Sequence, residues 1–368
     1  MMYLTHYRTA VSGKADLLDD LFFPQKVHWF PESYARVSTG MVYPPHKVAE
    51  KVLDPELVRN IRENPVGKTA FILAAGNSHF AGINPRLKKA TRLSYEFKLM
   101  PLTLTQVYAG RIAQSMGISD YIVTDATACA SSMKVLMDAQ TLIKMYGFKR
   151  VVILSVEDAV SNAVLDFFGD AGASLTHKIE TETGVLPSAF DNTNYGFYVG
   201  QGAVLAVFDD IAREEPKARV LGTYTASEAC SNAMGQREDG AGFTAAMVGA
   251  LTIARTVKPR DIKIVKTHGT GTKSNNVAEK SALSGMFQDF VATSYKQRIG
   301  HTMGPSGLLE TCLLLNDIKD GFIPAIANRT SEDSTYLSSD ALAPPGLIMS
   351  LAAGMGNVYS AAVLSTDI

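Results

Sequence analysis

YIVTDATACASSMKVLMDA, residues 121–139, changes its periodicity half-way along. YIVTD (121–125) is apolar and β-branched, the pattern of a strand, whereas from Ala130 to residue 147 the apolar residues fall at helical spacing. Between the two runs stands Cys129, with Ala126, Ala128, Ala130 and Ser131 as small neighbours that leave room for an approaching group. A cysteine at the head of a helix meets free backbone N–H groups and the positive end of the helix dipole. Such surroundings favour a thiolate and lower the ordinary thiol pKa of about 8.5 towards roughly 3.5–7.5. A free cysteine in a tight turn is as often a small, inert, buried hydrophobe. The stretch alone weighs the two readings evenly.

Strand-to-helix alternation continues on both sides. TAFILAAG (69–76), RVVILSVED (150–158) and AVLAVFDD (203–210) read as strands, most of them buried on both faces, and residues 101–117 as a helix. Further on, RVLGTYTAS (219–227) reads as a strand and GFTAAMVGALTIARTV (242–257) as a helix. IKIVKTHGTG (262–271) is a strand entering a glycine loop, and SGLLETCLLLNDIKDG (306–321) is a helix. The alternation predicts an α/β fold. GQGAVLAVFDD (200–210) and GNVYSAAVLSTD (356–367) both run from glycine into a small-residue strand, a weak sign of internal duplication. The polar stretch DDIAREEPKAR (209–219) is the expected joint, dividing the chain into halves 1–212 and 213–368. Residues 24–66 show no regular pattern.

With 368 residues, two packed halves are more natural than one small core. The chain is 46% hydrophobic and 19% charged, with a net charge of −1, so it carries no electrostatic footprint for nucleic acid or an anionic membrane. No apolar run is long enough to span a bilayer, and the first residues lack the layout of a signal peptide. The expectation is a cytoplasmic protein with no nucleic-acid or membrane partner. Cys129, Cys230 and Cys312 are too few and too scattered for a disulfide framework, and no zinc spacing is present.

Three further stretches bear on Cys129. In THGTGTKSNNVAEKSAL (267–283), His268 stands where an apolar strand stops, ahead of a glycine loop carrying Thr270 and Thr272. Strand ends of this kind face the ligand crevice of open α/β sheets. In SYKQRIGHTMGPSGLLETCLLL (294–315), His301 occupies a second glycine-rich turn, with Lys296 before it and Glu310 after it. Taken singly, each histidine would more often be a satisfied core residue, and the lysine and glutamate a solvated pair of little worth. SLAAGMGNVYSAAVL (350–364) holds the turn Gly354-Met355-Gly356-Asn357 between two strand-like runs, where glycines admit close approach of backbone N–H groups.

The order of cysteine, histidine and histidine in these turns resembles the 3-oxoacyl-[acyl carrier protein] synthases, the condensing enzymes of the thiolase-like superfamily. TACASS (127–132), HGTGTKSN (268–275), KQRIGHTMGPSG (296–307) and FDNTNYGFYVGQGAVLAVF (190–208) look like its motifs. The resemblance covers residues 100–368, while YLTHYRTAVSG (3–13) looks like a degenerate first strand. It implies two similar α/β halves packed in α-β-α-β-α layers. It also implies an acyltransferase: Cys129 takes an acyl chain from the phosphopantetheine arm of acyl carrier protein, and decarboxylated malonyl-carrier attacks that thioester. His268 and His301 would steady the enolate, with Lys296 and Glu310 as an interior pair ordering the site. Thr270 and Thr272 would hold the pantetheine arm. The backbone N–H groups of Cys129 and Met355 would form an oxyanion hole framed by Gly354 and Gly356. The resemblance calls for no metal or organic cofactor, and implies a dimer with itself or with a homologous ketosynthase-like subunit.

Some positions depart from the family pattern. Gly354-Met355-Gly356-Asn357 replaces Gly-Phe-Gly-Gly, Asn276 replaces an aspartate, and Asn194 and Gln201 replace an arginine and a glutamate. The chain is also shorter than the norm ahead of Cys129. Met355, more pliable than phenylalanine, points to a different acyl selection and to a specialised fatty-acid or polyketide pathway. Rival expectations are a chain-length-factor-like partner subunit, a malonyl decarboxylase and a thiolase. The last needs a cysteine near the C-terminus, and none follows Cys312.

Overall fold

In the computed structural model the described residues are 1–11, 45–76, 104–157, 162–176, 179, 182–191, 195–213, 215–228, 232, 235–331 and 335–367. Asn194, Cys230 and most of the segment ahead of residue 45 lie outside them. The first half holds β1 (Met2–Val11), α1 (Pro45–Glu50), α2 (Pro55–Glu63), β2 (Thr69–Ala74), α3 (Thr105–Ser115), β3 (Tyr121–Asp125), α4 (Ser131–Tyr146), β4 (Arg150–Val156), α5 (Asn162–Asp170) and β5 (Gly202–Asp209). The second begins with β6 (Ala218–Ser227), α6 (Ala241–Ala254), β7 (Ile262–Lys266), α7 (Lys273–Met286), β8 (Val291–Thr293), α8 (Lys296–Ile299) and α9 (Ser306–Lys319). It closes with β9 (Phe322–Ile323), β10 (Ala341–Leu342), β11 (Leu347–Gly354) and β12 (Val358–Ser365).

Ten strands form one sheet in the order β3-β2-β4-β5-β1-β6-β12-β11-β7-β8. Read from its outer edge inwards, each half has the order 3-2-4-5-1 when its own five strands are counted along the chain. In each half the fifth strand runs antiparallel to both neighbours: β5 to β4 and β1, β12 to β11 and β6. The remaining outer pairs are parallel in both. The weak sign of duplication in the two glycine-to-strand runs thus corresponds to a complete repeat of topology. A short antiparallel ladder, Met2↔Val220 to Leu4↔Ala218, joins the halves.

Alternation along the strands sorts the core into layers. Ala70, Ile72, Val151 and Ile153 face inwards, as do Ile264, Ile348 and Leu364 of the other half; α4 and α9 fill the space between them. Phe71, Leu73, Val152 and Leu154 turn outwards onto α1, α2 and α3. Val265, Met349, Leu351 and Val363 turn outwards onto α6 and α7. The layers run α-β-α-β-α, the thiolase-like arrangement. Every residue of α9 from Ser306 to Leu315 is buried, as a helix packed between the two halves of the sheet requires. Cys312 is free and buried within it.

β2, β4 and β5 are buried throughout, as expected of most of these strands, and β3 is the edge strand of the sheet, with Tyr121 exposed and the rest half-buried. One expectation needs correction. Part of the apparently irregular 24–66 region is helical: α1 and α2 cover β4 and β5 from outside. Asp54 caps α2, its carboxylate accepting the N–H groups of Glu56 (2.8 Å) and Leu57 (3.3 Å), with Pro55 opening the first turn. Among the described residues no helix is long and apolar enough to cross a membrane.

Candidate active site

Cys129 sits in a single tight turn, Ala128–Ala130, between β3 and α4. Ser131 fastens this turn: its hydroxyl accepts the Thr127 N–H at 2.8 Å and donates to the Ala128 carbonyl at 2.6 Å. Thr127 donates to the Asp125 carboxylate (2.9 Å), which also takes the Lys134 ammonium (2.7 Å). Ala128 has φ +47°, a left-handed conformation held only because its surroundings over-determine it. The backbone is thereby folded so that the cysteine faces a cavity.

That cavity, of about 90 Å³, is lined by Cys129, His268, His301, Thr270, Thr272 and Met355 among others. The loops after β7 and α8 deliver the two imidazoles, with ring centroids 5.7 Å apart and planes crossed at 81°. Glu279 on α7 shapes the first loop, its carboxylate accepting the N–H groups of His268 (2.6 Å) and Gly269 (2.9 Å). Asn275 completes that carboxylate's partners at 2.9 Å. His301 Nδ1 accepts the Met303 N–H at 3.3 Å, and Phe197 stands edge-on to the ring at 4.8 Å. The two threonine hydroxyls are 3.0 Å from one another.

Lys296 and Glu310 are wholly buried rather than solvated: Nζ lies 2.8 Å and 3.1 Å from the two carboxylate oxygens. Ser306 donates to the same carboxylate, and Lys266 approaches it at 3.4 Å. The turn after β11 lies directly over Cys129. A Cβ on Gly354 would stand 2.8 Å from the Thr127 carbonyl, 3.1 Å from the Ala130 nitrogen and 3.3 Å from that of Cys129. Only glycine lets these backbones meet. Gly356 (φ +83°) and Asn357 (φ +62°) take left-handed conformations, the second being one that asparagine tolerates. Asn276 accepts the Phe190 N–H at 3.2 Å, an acceptor's part that a carboxylate would also fill. Gln201 is buried.

Residues not foreseen complete the frame. Glu157, just after β4, accepts the N–H groups of Gly76 and Gly304, at 2.5 Å and 2.7 Å, so tying the His301 loop to the first half. Met303 places its Sδ 3.9 Å from Cys129 Sγ. Phe168 and Phe197 form an aromatic wall with Met355 packed beside it.

Of the two readings of Cys129, electrostatics favour the protonated thiol. Burial, reinforced by the Glu157 carboxylate and opposed by Lys296, pushes the Cys129 thiol up to about 12. Burial and the Lys296 ammonium hold both imidazoles well below their usual range, so they are neutral at neutral pH. Since His301 Nδ1 accepts a hydrogen bond, Nε2 carries that ring's proton. Among the described residues no three His, Cys, Asp or Glu side chains are grouped to hold a metal ion.

A thiol and two neutral imidazoles facing one cavity, on two α/β halves of repeated topology, define a thiolase-like condensing-enzyme scaffold. Known proteins bear this out. The N-terminal domain model of beta-ketoacyl synthases matches residues 53–210 and the C-terminal one residues 217–330; the chain belongs to the beta-ketoacyl synthase family. It is 31% identical to an oxytetracycline polyketide putative beta-ketoacyl synthase of Streptomyces rimosus, over 65% of this chain and 59% of that protein. It is 27% identical to the ketoacyl synthase alpha subunit of a tetracenomycin polyketide synthase from Streptomyces glaucescens, over 69% and 62%. The chain thus spans about three-fifths of the length of these relatives. Among solved structures, a beta-ketoacyl synthase from Burkholderia phymatum superposes with TM-score 0.77 at 17% identity, covering 99% of this chain and 98% of that one. A ketosynthase in complex with its chain length factor, from Xenorhabdus doucetiae, gives TM-score 0.75 at 17% identity, covering 99% and 97%. At this identity both likenesses speak for the fold.

Proposed function

We propose that the protein is a ketosynthase, joining an acyl group held on Cys129 to a malonyl unit on acyl carrier protein with loss of carbon dioxide. The observation that carries this is the meeting of Cys129, His268 and His301 on one cavity. A buried thiol suits the first step, because transfer from one thioester to another is nearly balanced. Cys129 Sγ forms the new bond to the acyl carbon, and its proton leaves with the departing pantetheine sulfur. Positive potential at the head of α4 and from Lys296 stabilises sulfur as charge develops there. The N–H groups of Cys129 and Met355 would receive the oxyanion. In the second step His268 and His301 donate hydrogen bonds to the malonyl thioester oxygen as the carboxylate leaves. The enolate carbon then attacks the acyl thioester and frees Cys129. Lys296 and Glu310 order the His301 loop from behind, and Thr270 and Thr272 hold the pantetheine arm. No metal or organic cofactor enters this scheme.

The halves, divided at 212/213, would contribute the nucleophile and the imidazoles respectively. Acyl carrier protein is the substrate-bearing partner in this reading. A homologous subunit is the second, by analogy with the relative solved with its chain length factor. We place the enzyme in the cytoplasm, in fatty-acid or specialised polyketide synthesis. The test is incubation with acyl-carrier and malonyl-carrier thioesters. An acyl adduct on Cys129 followed by a 3-oxoacyl product is expected; acetyl-carrier alone would make the protein a decarboxylase, and no adduct at any chain length would leave a non-catalytic partner subunit.

A further inference from the structure

The cavity beside Cys129 has linings of two kinds. Phe168, Ala173, Phe197 and Met355 are apolar and cluster with the cysteine itself. Gln236, Thr270, Thr272, Ser274 and Asn275 instead offer hydroxyls and carboxamides. No lysine, arginine, aspartate or glutamate is among the described residues that line it. A phosphate or carboxylate would call for such cations, so the polar lining suits an uncharged chain that carries hydrogen-bonding groups.

Gln236 stands in the loop between β6 and α6, and the backbone beside it is pinned. The Arg237 N–H donates to the Glu228 carboxylate at 3.1 Å, which also takes the Gly242 N–H (3.1 Å) and the Tyr359 hydroxyl (2.5 Å). A chain of partners then sets which way the Gln236 carboxamide points. The Glu279 carboxylate, already accepting the His268 and Gly269 N–H groups, also takes Asn275 Nδ2 at 2.9 Å. Asn275 therefore turns its oxygen towards Gln236, and Gln236 Nε2 directs a proton at that oxygen across 3.5 Å. Gln236 Oε1 is left over, buried and with no donor among the described residues. A buried carbonyl oxygen without a donor has given up its hydration for nothing, which native structures rarely allow.

We propose that Gln236 is a specificity-determining residue for the carrier's arm, its Oε1 accepting an amide N–H of pantetheine. The inference rests on the ketosynthase reading for the identity of the ligand. Below its phosphate, pantetheine is an uncharged chain with two secondary amides, each bearing one N–H and one carbonyl. Either N–H supplies what Oε1 lacks. A thioester on a plain alkyl chain supplies none and leaves the oxygen unmet, and a site built around a hydrogen bond rejects the analogue that cannot make it. Gln236 is remote from the bonds that change, so its contact is made equally before and during reaction and favours binding over turnover.

The test measures binding of S-methylpantetheine to the whole protein and to Gln236→Met by saturation-transfer NMR. The methionine variant should bind about 2–10-fold more weakly, the range of one hydrogen bond. An ester analogue, with oxygen in place of both amide N–H groups, should show a smaller difference between the two proteins. In turnover, Gln236→Met should lower the ratio of kcat/KM for acetyl-pantetheine over S-pentyl thioacetate by a similar factor, with the change in KM. The idea is overturned if S-methylpantetheine binds the variant as tightly as the unaltered protein, if it binds neither, or if the ester loses as much affinity as the amide. Should the methionine variant fail to fold, Gln236→Asn, one methylene shorter, takes its place. Binding needs no turnover, so failure of the ketosynthase reading would show separately, as absence of an acyl adduct on the unaltered protein given acyl-carrier thioesters.

Discussion

His301 Nδ1 receives the backbone N–H of Met303 at 3.3 Å, which fixes the ring's proton on Nε2. The ring is then a hydrogen-bond donor to the cavity, set by its own loop before any substrate arrives. Replacing His301 with alanine removes that donor, and decarboxylation of malonyl-carrier should fall by about 10²–10³-fold, the usual cost of one oxyanion donor. His301→Gln restores an N–H at similar reach and should recover part of the loss. Equal rates for the two variants, in an assay of released carbon dioxide, would count against this role.

The thiol of Cys129 should alkylate slowly at neutral pH. With burial pushing it up to about 12, the thiolate fraction, and so the rate with iodoacetamide, should climb roughly tenfold per pH unit with no plateau below pH 10. Because the Glu157 carboxylate is the foremost charge raising it, Glu157→Gln should lower the thiol pKa and speed alkylation at pH 9. The same shift has a stability consequence. The folded state keeps a proton that the unfolded thiol loses above about 8.5, so this group's contribution is full below that pH and declines as pH rises towards 12. A plateau below pH 9 in mass-spectrometric alkylation would refute the buried-thiol description.

Cys129, His268 and His301 could be read from sequence because glycine and small residues mark the places where backbone must turn tightly against a ligand. Strand and helix types followed from periodicity for the same reason. The charge state of Cys129 could not, since a helix terminus is local in sequence whereas desolvation comes from both halves packing over the sulfur. Glu279 and Glu157 act on loops distant along the chain, and nothing adjacent announces their partners. Lys266 left a signal that went unused: a lysine inside the apolar strand IKIVK has no solvent to reach if that strand is central. Asp54-Pro55 likewise marks a helix start that the mixed composition of 24–66 obscured.

Glu310 is the sole carboxylate hydrogen-bonded to Lys266 and Lys296 among the described residues. Glu310→Ala leaves both ammoniums buried without it, and a broken buried pair costs roughly 3–5 kcal/mol. Urea denaturation should show a loss of that order, with Glu310→Gln losing less because its amide oxygen still accepts. A loss under about 1 kcal/mol in the alanine variant would mean that water reaches the lysines.

Met355 packs with Phe168, Phe197 and Met303 against the cysteine. The cavity of about 90 Å³ beside it is smaller than the ~150 Å³ that admits a benzene ring. Trimming the side chain in Met355→Ala should raise the rate of Cys129 acylation by long or branched acyl groups relative to acetyl. Unchanged relative rates across a panel of acyl-carrier donors would move acyl selection away from this turn.

Gly354 and Gly356 flank Met355 yet are glycine for different reasons, and the difference is measurable. At Gly354 an added methyl meets the backbone of Thr127, Cys129 and Ala130 within 3.3 Å, so Gly354→Ala must push the turn away from Cys129. At Gly356 nothing lies within 4 Å, and alanine meets only the strain of φ +83°. That strain costs about 1–2 kcal/mol. Gly354→Ala should therefore slow acylation of Cys129 by more than its effect on the urea midpoint accounts for, because the two N–H groups proposed to receive the oxyanion would be parted. Gly356→Ala should lower the urea midpoint while losing less of the acylation rate. If the two variants lose rate in the same proportion to stability, the turn is only a hairpin and not half of the oxyanion hole.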